Sequence, residues 1–198
     1  MEWKLLKPSD YHTTRWSGGT TTQLAIAPEG ARYASRDFLW RISSAQVELE
    51  HSDFTPLPDY NRFLAVLAGE LELKVGGEAR TPLPCLTVHA FDGGVPTQSW
   101  GRCTDFNLMV RKGRGLGEVH SLRLPASGMM VLAPEASERY PSLTLALFCV
   151  SGALKLPEPD LTAQPGELLL CRNAAPGVVR VSADSDAAFL ALTIHTKL

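Results

Sequence analysis

Residues 63–73, FLAVLAGELEL, lie without a gap over residues 146–156, ALFCVSGALKL, at an offset of 83 residues (Gly69 to Gly152). Leu71 falls on Leu154 and Leu73 on Leu156. Leu67 to Val75 alternates around Gly69, with Leu71, Leu73 and Val75 on one face, the two-residue period of a strand with one buried face. At the same offset Pro82 falls on Pro165, Leu86 on Leu169, Gly94 on Gly177 and Phe106 on Phe189. A constant offset that keeps glycines, prolines and apolar positions in phase marks an internal duplication.

Outward from this repeat the chain reads as short strands. Leu168 to Cys171 is an apolar run entered through Pro165-Gly166, and Val178 to Val181 and Ala188 to Ile194 are further runs. Short strands punctuated by turn residues indicate a sandwich or barrel. No amphipathic helix of three turns is present, and the 14 prolines and 16 glycines are scattered throughout, which disfavours long helices. The fold class expected is all-β: two antiparallel barrels or jelly rolls from one repeated unit. Residues 1–112 form the first, residues 113–198 the second, and the glycine-rich stretch 113–117 joins them.

Composition excludes several classes of function. The formal net charge is −2, and the densest basic stretch, Arg111, Lys112 and Arg114, is broken by glycine and reads as a solvated linker. Nucleic-acid binding needs a clustered basic face. The N-terminal MEWKLLKPSDYHTTRW has no apolar core of a signal peptide, and no run reaches the roughly 18 apolar residues of a membrane helix. Cys85, Cys103, Cys149 and Cys171 show no C-x-x-C pairing and read as buried reduced thiols of a cytoplasmic protein. The five histidines, His12, His51, His89, His120 and His195, include no i, i+2 pair. Convergent metal ligands are therefore not expected, nor is a cofactor.

The repeat also works as a control for where polar chemistry sits. In the second half Ala188, Leu190, Leu192 and Ile194 share one face of the last strand, expected to point inward. Their partners at the same offset are Asp105, Asn107, Met109 and Arg111. A buried carboxylate and amide are costly unless bonded or bound to something, so Asp105 and Asn107 are site candidates. Residues 16–23, WSGGTTTQ, supply a Gly-Gly turn where a backbone can approach a ligand, with Trp16, Ser17, Thr22 and Gln23 as candidate contacts. A turn into a threonine-rich edge strand explains that stretch equally well. In residues 40–45, WRISSA, Arg41 and Ser43 share a face with Ala45 and Val47, placing a guanidinium where it meets either a ligand carboxylate or Asp105. Arg62, just before the first repeated strand, is a second cation.

Residues 164–168, QPGEL, and more loosely 81–85, TPLPC, resemble the turn-and-strand signature of cupin barrels, which makes the chain resemble a bicupin. Residues 16–23, the run Asp37-Phe38-x-Trp40-Arg41-Ile42-Ser43-Ser44-Ala45, the run Phe54-x-x-Leu57-Pro58-x-x-x-Arg62, and Thr104-Asp105-Phe106-Asn107-Leu108-Met109 together resemble the HutD/Ves family. That resemblance implies a metal-poor bicupin that binds an intermediate of histidine breakdown, such as a formylated glutamate or urocanate, and regulates flux. Many members carry Asn after the Trp and an Arg-Glu pair closing the glycine-rich stretch; here Ser17 and Thr22-Gln23 stand instead. Three readings stay open: a small-molecule sensor, a metal-independent isomerase, lyase or hydrolase with Asp105 as acid or base, and a structural protein with an internal polar network. Pairing of two copies through a strand edge is compatible with each.

Overall fold

The structure, a computed structural model, describes residues 1–197; Leu198 lies outside the described residues. The chain divides into two compact units, one of residues 11–114, the other of residues 115–198 with residues 1–10. The first ten residues therefore do not belong to the first barrel. Lys4–Leu6 pairs antiparallel with Leu168–Cys171, setting Leu5 opposite Leu169. The cause is Trp3 and Leu5, which pack against the apolar cluster of the second unit. The division falls after Arg114, and Gly115 and Gly117 lie in the strand Gly115–Leu124 rather than in a linker. Nor is the basic stretch simply solvated: Lys112 Nζ is 2.5 Å from Asp92 Oδ1, and Arg111 Nη1 donates to the Arg36 carbonyl at 3.3 Å.

Each unit is two antiparallel sheets. In residues 11–114 the larger sheet runs, in spatial order, His12–Trp16, Gly19–Ala27, Trp40–Val47, Cys103–Arg111, Tyr60–Gly69, Val88–Asp92. The smaller runs His51–Asp53, Thr97–Trp100, Glu72–Val75, Thr81–Pro82. In the other unit the larger sheet runs Lys4–Leu6, Leu168–Cys171, Ser142–Ser151, Ala187–Thr196, Gly115–Leu124. Its smaller sheet runs Met129–Leu132, Val179–Ser182, Leu154–Leu156, Leu161–Ala163. Helix among the described residues is confined to two 3-10 turns, Pro8–Asp10 and Tyr33–Ser35. The all-β expectation holds, but the strands are not uniformly short: Tyr60–Gly69, Gly115–Leu124, Ser142–Ser151 and Ala187–Thr196 each have ten residues.

The duplicated glycines have the same task. Gly69 has φ +85° and Gly152 φ +71°, where side-chain-bearing residues are strained. A Cβ at Gly69 would lie 2.4 Å from the Arg102 carbonyl oxygen, and one at Gly152 would lie 2.4 Å from that of Asp186. This matched approach ties the start of the last strand to the repeat, and it corrects the register. Beyond a bulge, Asp105 sits opposite Val66, and Phe189 sits opposite Cys149. Val66 and Cys149 are equivalent at the offset of 83, so Asp105 corresponds to Phe189 and Asn107 to Ala191, an offset of 84. In the outer strand His89 opposes Leu64 and Leu169 opposes Leu147, an offset of 80. The Pro82–Pro165, Leu86–Leu169 and Phe106–Phe189 matches are thus coincidences of an ungapped comparison. The connecting loops differ in length between the units, and such differences are tolerated at the surface.

The slip has the consequence expected of a two-residue period: one residue exchanges the faces. In the last strand of the second unit the inward residues are Ala187, Phe189 and Ala191, which join Leu143, Leu145, Leu147 and Cys149 in one buried cluster. Ala188, Leu190, Leu192 and Ile194 do not form that cluster, although they too are buried. The true equivalent of Gly166 is Leu86. Each sits in the left-handed region, φ +86° and +62°, and each donates its N–H to the central strand, to Cys149 and Val66 respectively, at 2.8 Å. The first unit therefore makes the Pro-Gly turn of the second with Cys85-Leu86. This leaves Cys85 exposed, unlike the buried Cys103, Cys149 and Cys171; all four thiols are free.

Candidate functional site

A cavity of about 330 Å³ opens in the first barrel. Its most buried polar side chains, Arg41, Ser43, Arg62, Asp105 and Asn107, come from three adjacent strands of the larger sheet. In Trp40–Val47, Arg41, Ser43, Ala45 and Val47 face the cavity, as the strand period requires. In Cys103–Arg111 the cavity-facing residues are Asp105, Asn107 and Met109. Phe106, Leu108 and Val110 are buried on the opposite face, so this strand cannot rotate to expose its polar side. Arg62 projects from Tyr60–Gly69 beside Met109.

Arg41, Arg62, Asp105 and Asn107 are only 5–7% exposed. Arg41 is held in place: its Nε donates to Gln23 Oε1 at 2.9 Å, its Nη1 to Ser43 Oγ at 3.1 Å, and its guanidinium lies 4.5 Å from the centre of the Tyr33 ring. Arg62 lies against Phe54 and Phe91, at 4.8 and 5.1 Å from the ring centres, which are 6.3 Å from each other. Such stacking orients a guanidinium while leaving its edge for an anion. Asp105 Oδ1 accepts from the Ala45 amide at 3.2 Å. Among the described residues no ion pair within 4.0 Å joins Asp105 to either arginine, so the Arg41–Asp105 pairing is not formed.

Burial dominates the electrostatics. It pushes the Asp105 carboxyl up to about 6, against the opposing pull of Arg62 and the Ala45 amide. Burial lowers Arg62 to about 10, with Asp105 partly offsetting it. Arg41 is lowered too, by burial first and by Arg36. Ser52 Oγ, Arg62 Nε and Asn107 Oδ1 are buried without a hydrogen-bond partner among the described residues. All three residues line this one cavity. Unpartnered buried polar atoms are expensive, and their convergence leaves a donor and an acceptor waiting on adjacent strands of one sheet, Arg62 opposite Met109 and Asn107 two residues before it.

Of the residues singled out in the sequence, Trp16, Arg41, Ser43, Arg62, Asp105 and Asn107 line the cavity. Gln23 stands behind Arg41 as its acceptor. Thr22 does not face it: its hydroxyl bonds Thr13 Oγ1 at 2.9 Å, while Thr14 and Thr21 are the cavity-facing threonines of that hairpin. Ser17 lies exposed in the turn. Sequence reasoning missed Tyr33, Ser52 and Phe54, which come from a 3-10 turn, a three-residue strand and a loop. The spacing of Phe54 to Arg62 in the motif was the available signal for one of them.

A divalent metal does not suit this interior. Its two carboxylates are Asp53, which accepts from Gln98 Nε2 at 2.9 Å, and Asp105, and with two guanidinium groups, an amide and a thioether they are the wrong donor set. Among the described residues no three His, Cys, Asp or Glu side chains converge to hold an ion. His89 stacks on Phe91, 5.7 Å between ring centres. No helix among the described residues is long and apolar enough to cross a membrane.

The HutD family model matches residues 8–190. The chain is similar to a conserved protein of unknown function, PA5104, from Pseudomonas aeruginosa PAO1: 26% identity over 99% of this chain and 100% of that one, TM-score 0.82. It is similar in fold to HutD from Pseudomonas fluorescens SBW25, determined in a formate condition: 20% identity over 100% of both chains, TM-score 0.78. It shares its fold with the bacterial pirin YhhW of Escherichia coli, in complex with nickel(II): 11% identity over 99% of this chain and 100% of that one, TM-score 0.73. Among curated proteins none matches the sequence. With these neighbours the two units are the halves of a bicupin.

Proposed function

The chain belongs to the HutD family, and from that premise we propose that it is a cytoplasmic small-molecule-binding regulatory protein whose first barrel captures a small carboxylate carrying an N–H group. Intermediates of amino-acid breakdown, N-formylglutamate or urocanate, have this chemistry. The observation that carries the reading is the convergence of Ser52 Oγ, Arg62 Nε and Asn107 Oδ1, all buried and without a partner, on one cavity. A carboxylate accepts from Arg62 and from the free edge of Arg41. The ligand N–H donates to Asn107 Oδ1 and to the Asp105 carboxyl across the same wall. A volume of about 330 Å³ is at the small end of ligand sites and matches a metabolite.

Isothermal titration calorimetry with N-formyl-L-glutamate and urocanate tests this. One of them saturates a single site per chain, and Arg62→Ala weakens it by roughly tenfold to a hundredfold, as loss of a charge-assisted pair predicts. Asn107→Leu, which keeps the size and removes the acceptor, weakens it about tenfold. Absence of saturable binding by any small carboxylate, or binding indifferent to Arg62→Ala, overturns the reading. A second reading, acid–base catalysis without a metal, is favoured by Asp105, whose pKa of about 6 is suited to proton transfer near neutrality. It requires that a bound ligand be converted and that Asp105→Asn abolish the conversion while leaving binding.

A further inference from the structure

The second barrel is not a filled control. It holds a cavity of about 650 Å³, wider than that of the first. Its apolar wall is Leu122, Met130, Leu145, Leu147, Val179 and Ala191, and Trp3 of the N-terminal segment completes the lining. The polar groups come from two paired strands and from the segment 133–137, which adds Glu135 and Ser137 to the lining. Leu116, Glu118 and His120 face the cavity from Gly115–Leu124, and Thr193 and His195 face it from Ala187–Thr196. Leu116 sits opposite His195 and Glu118 opposite Thr193, so Glu118 and His195 are diagonal neighbours within reach of one small group. Glu118 Oε2 lies 3.6 Å from His120 Nε2. His195 Nδ1 is buried with no hydrogen-bond partner among the described residues.

The corrected register shows what this wall replaces. Glu118 holds the position of Arg41, His120 that of Ser43, Leu145 that of Arg62, and Ala191 that of Asn107. The barrel frame is the same, the cations are gone, and a carboxylate stands where a guanidinium stood. We propose that this second cavity binds a small amphipathic amine. Its apolar body packs against Leu145, Leu147 and Val179, and its ammonium sits between the Glu118 carboxylate and the unpartnered Nδ1 of His195. The choice of occupant rests on charge complementarity: an acidic mouth over an apolar floor opposes an anion and accepts a cation. An ammonium supplies three donors, enough for Glu118, the buried ring nitrogen and solvent.

The test is calorimetric titration of the full chain carrying Arg62→Ala, which disables carboxylate capture in the first barrel, at about pH 8 with tryptamine, compared with indole-3-propionate, which carries the same ring and a carboxylate. Tryptamine saturates one site and binds at least about tenfold more tightly. Glu118→Gln, an exposed change that leaves the fold alone, weakens tryptamine about fivefold to tenfold and does not weaken indole-3-propionate. Ala191→Phe fills the cavity and abolishes tryptamine binding, with an unchanged circular dichroism spectrum. If the two probes bind alike, if tryptamine does not saturate, or if Glu118→Gln changes nothing, the proposal fails. The first-barrel variants Arg62→Ala and Asn107→Leu report on a separate cavity, so failure here leaves the carboxylate reading standing.

Discussion

The two barrels of this chain build the same strand positions and fill them with opposite chemistry. At the position of Asp105 the second barrel has Phe189, and at that of Asn107 it has Ala191. Asp105 and Asn107 are as buried as their counterparts, yet one set needs a ligand or a proton to be content and the other needs only neighbours. Burial of a carboxyl beside a cation it does not touch raises its pKa. Burial of Phe189 contributes stability directly. The difference teaches that the frame, set by two glycines and a bulge, is indifferent to what projects inward, and that the first barrel carries its buried polar groups at a cost in stability that the second avoids at these positions.

The strongest way to break the comparison is to exchange its members. Phe189→Asp puts the first barrel's carboxylate into the second barrel's apolar cluster without Arg62 or an equivalent of the Ala45 contact. Loss of a fully buried ring plus an unpaired buried charge costs about 4 kcal/mol or more. Urea unfolding at neutral pH should show the variant largely unfolded, or stable only under acid conditions where the carboxyl is neutral. A variant close to wild type would mean the second interior is wetter than its lining indicates.

The frame itself makes the next prediction, and here the two barrels should agree. Gly69→Ala and Gly152→Ala each force a methyl onto a backbone carbonyl 2.4 Å away at a positive φ. Strain of this kind, with the displacement it requires, costs about 3 kcal/mol. Matched losses in denaturant midpoint sharpen the equivalence of the units. A large loss at one glycine and none at the other would dissolve it.

Much of this was legible in the sequence. Gly69 and Gly152 announced the repeat because only glycine tolerates that turn, and the Arg41–Ser43 strand declared its inward face by alternation. Arg41, Ser43, Arg62, Asp105 and Asn107 stand together in one cavity. What an ungapped offset could not register is where the loops change length. Phe106 over Phe189 therefore looked like the best match of the last strand, although Phe106 turns away from the cavity and Phe189 toward the core. Thr22 was one residue out of phase for the same reason: in an edge hairpin both faces are polar, and composition does not tell which threonine looks inward. The second cavity escaped because its polar residues, Glu118, His120 and His195, read singly as surface groups until strand pairing set them side by side.

The finest test of the contrast is Asp105→Asn, which removes the charge and keeps the shape. The folded-state pKa of Asp105 is raised from 3.8 to about 6. The folded protein therefore holds this proton more tightly than the unfolded chain does. The stability it lends is fully present below about pH 4 and is lost as pH rises through about 6. Asn cannot ionise, so the variant does not follow that loss. Relative to wild type its stability should climb by about 2 kcal/mol between pH 4 and pH 7 and stay flat above. Chemical denaturation at a series of pH values reads this directly. A difference that does not vary with pH would mean that Asp105 titrates near its ordinary value. The carboxyl would then be solvated or paired in solution, and the first barrel would lose the feature that most separates it from the second.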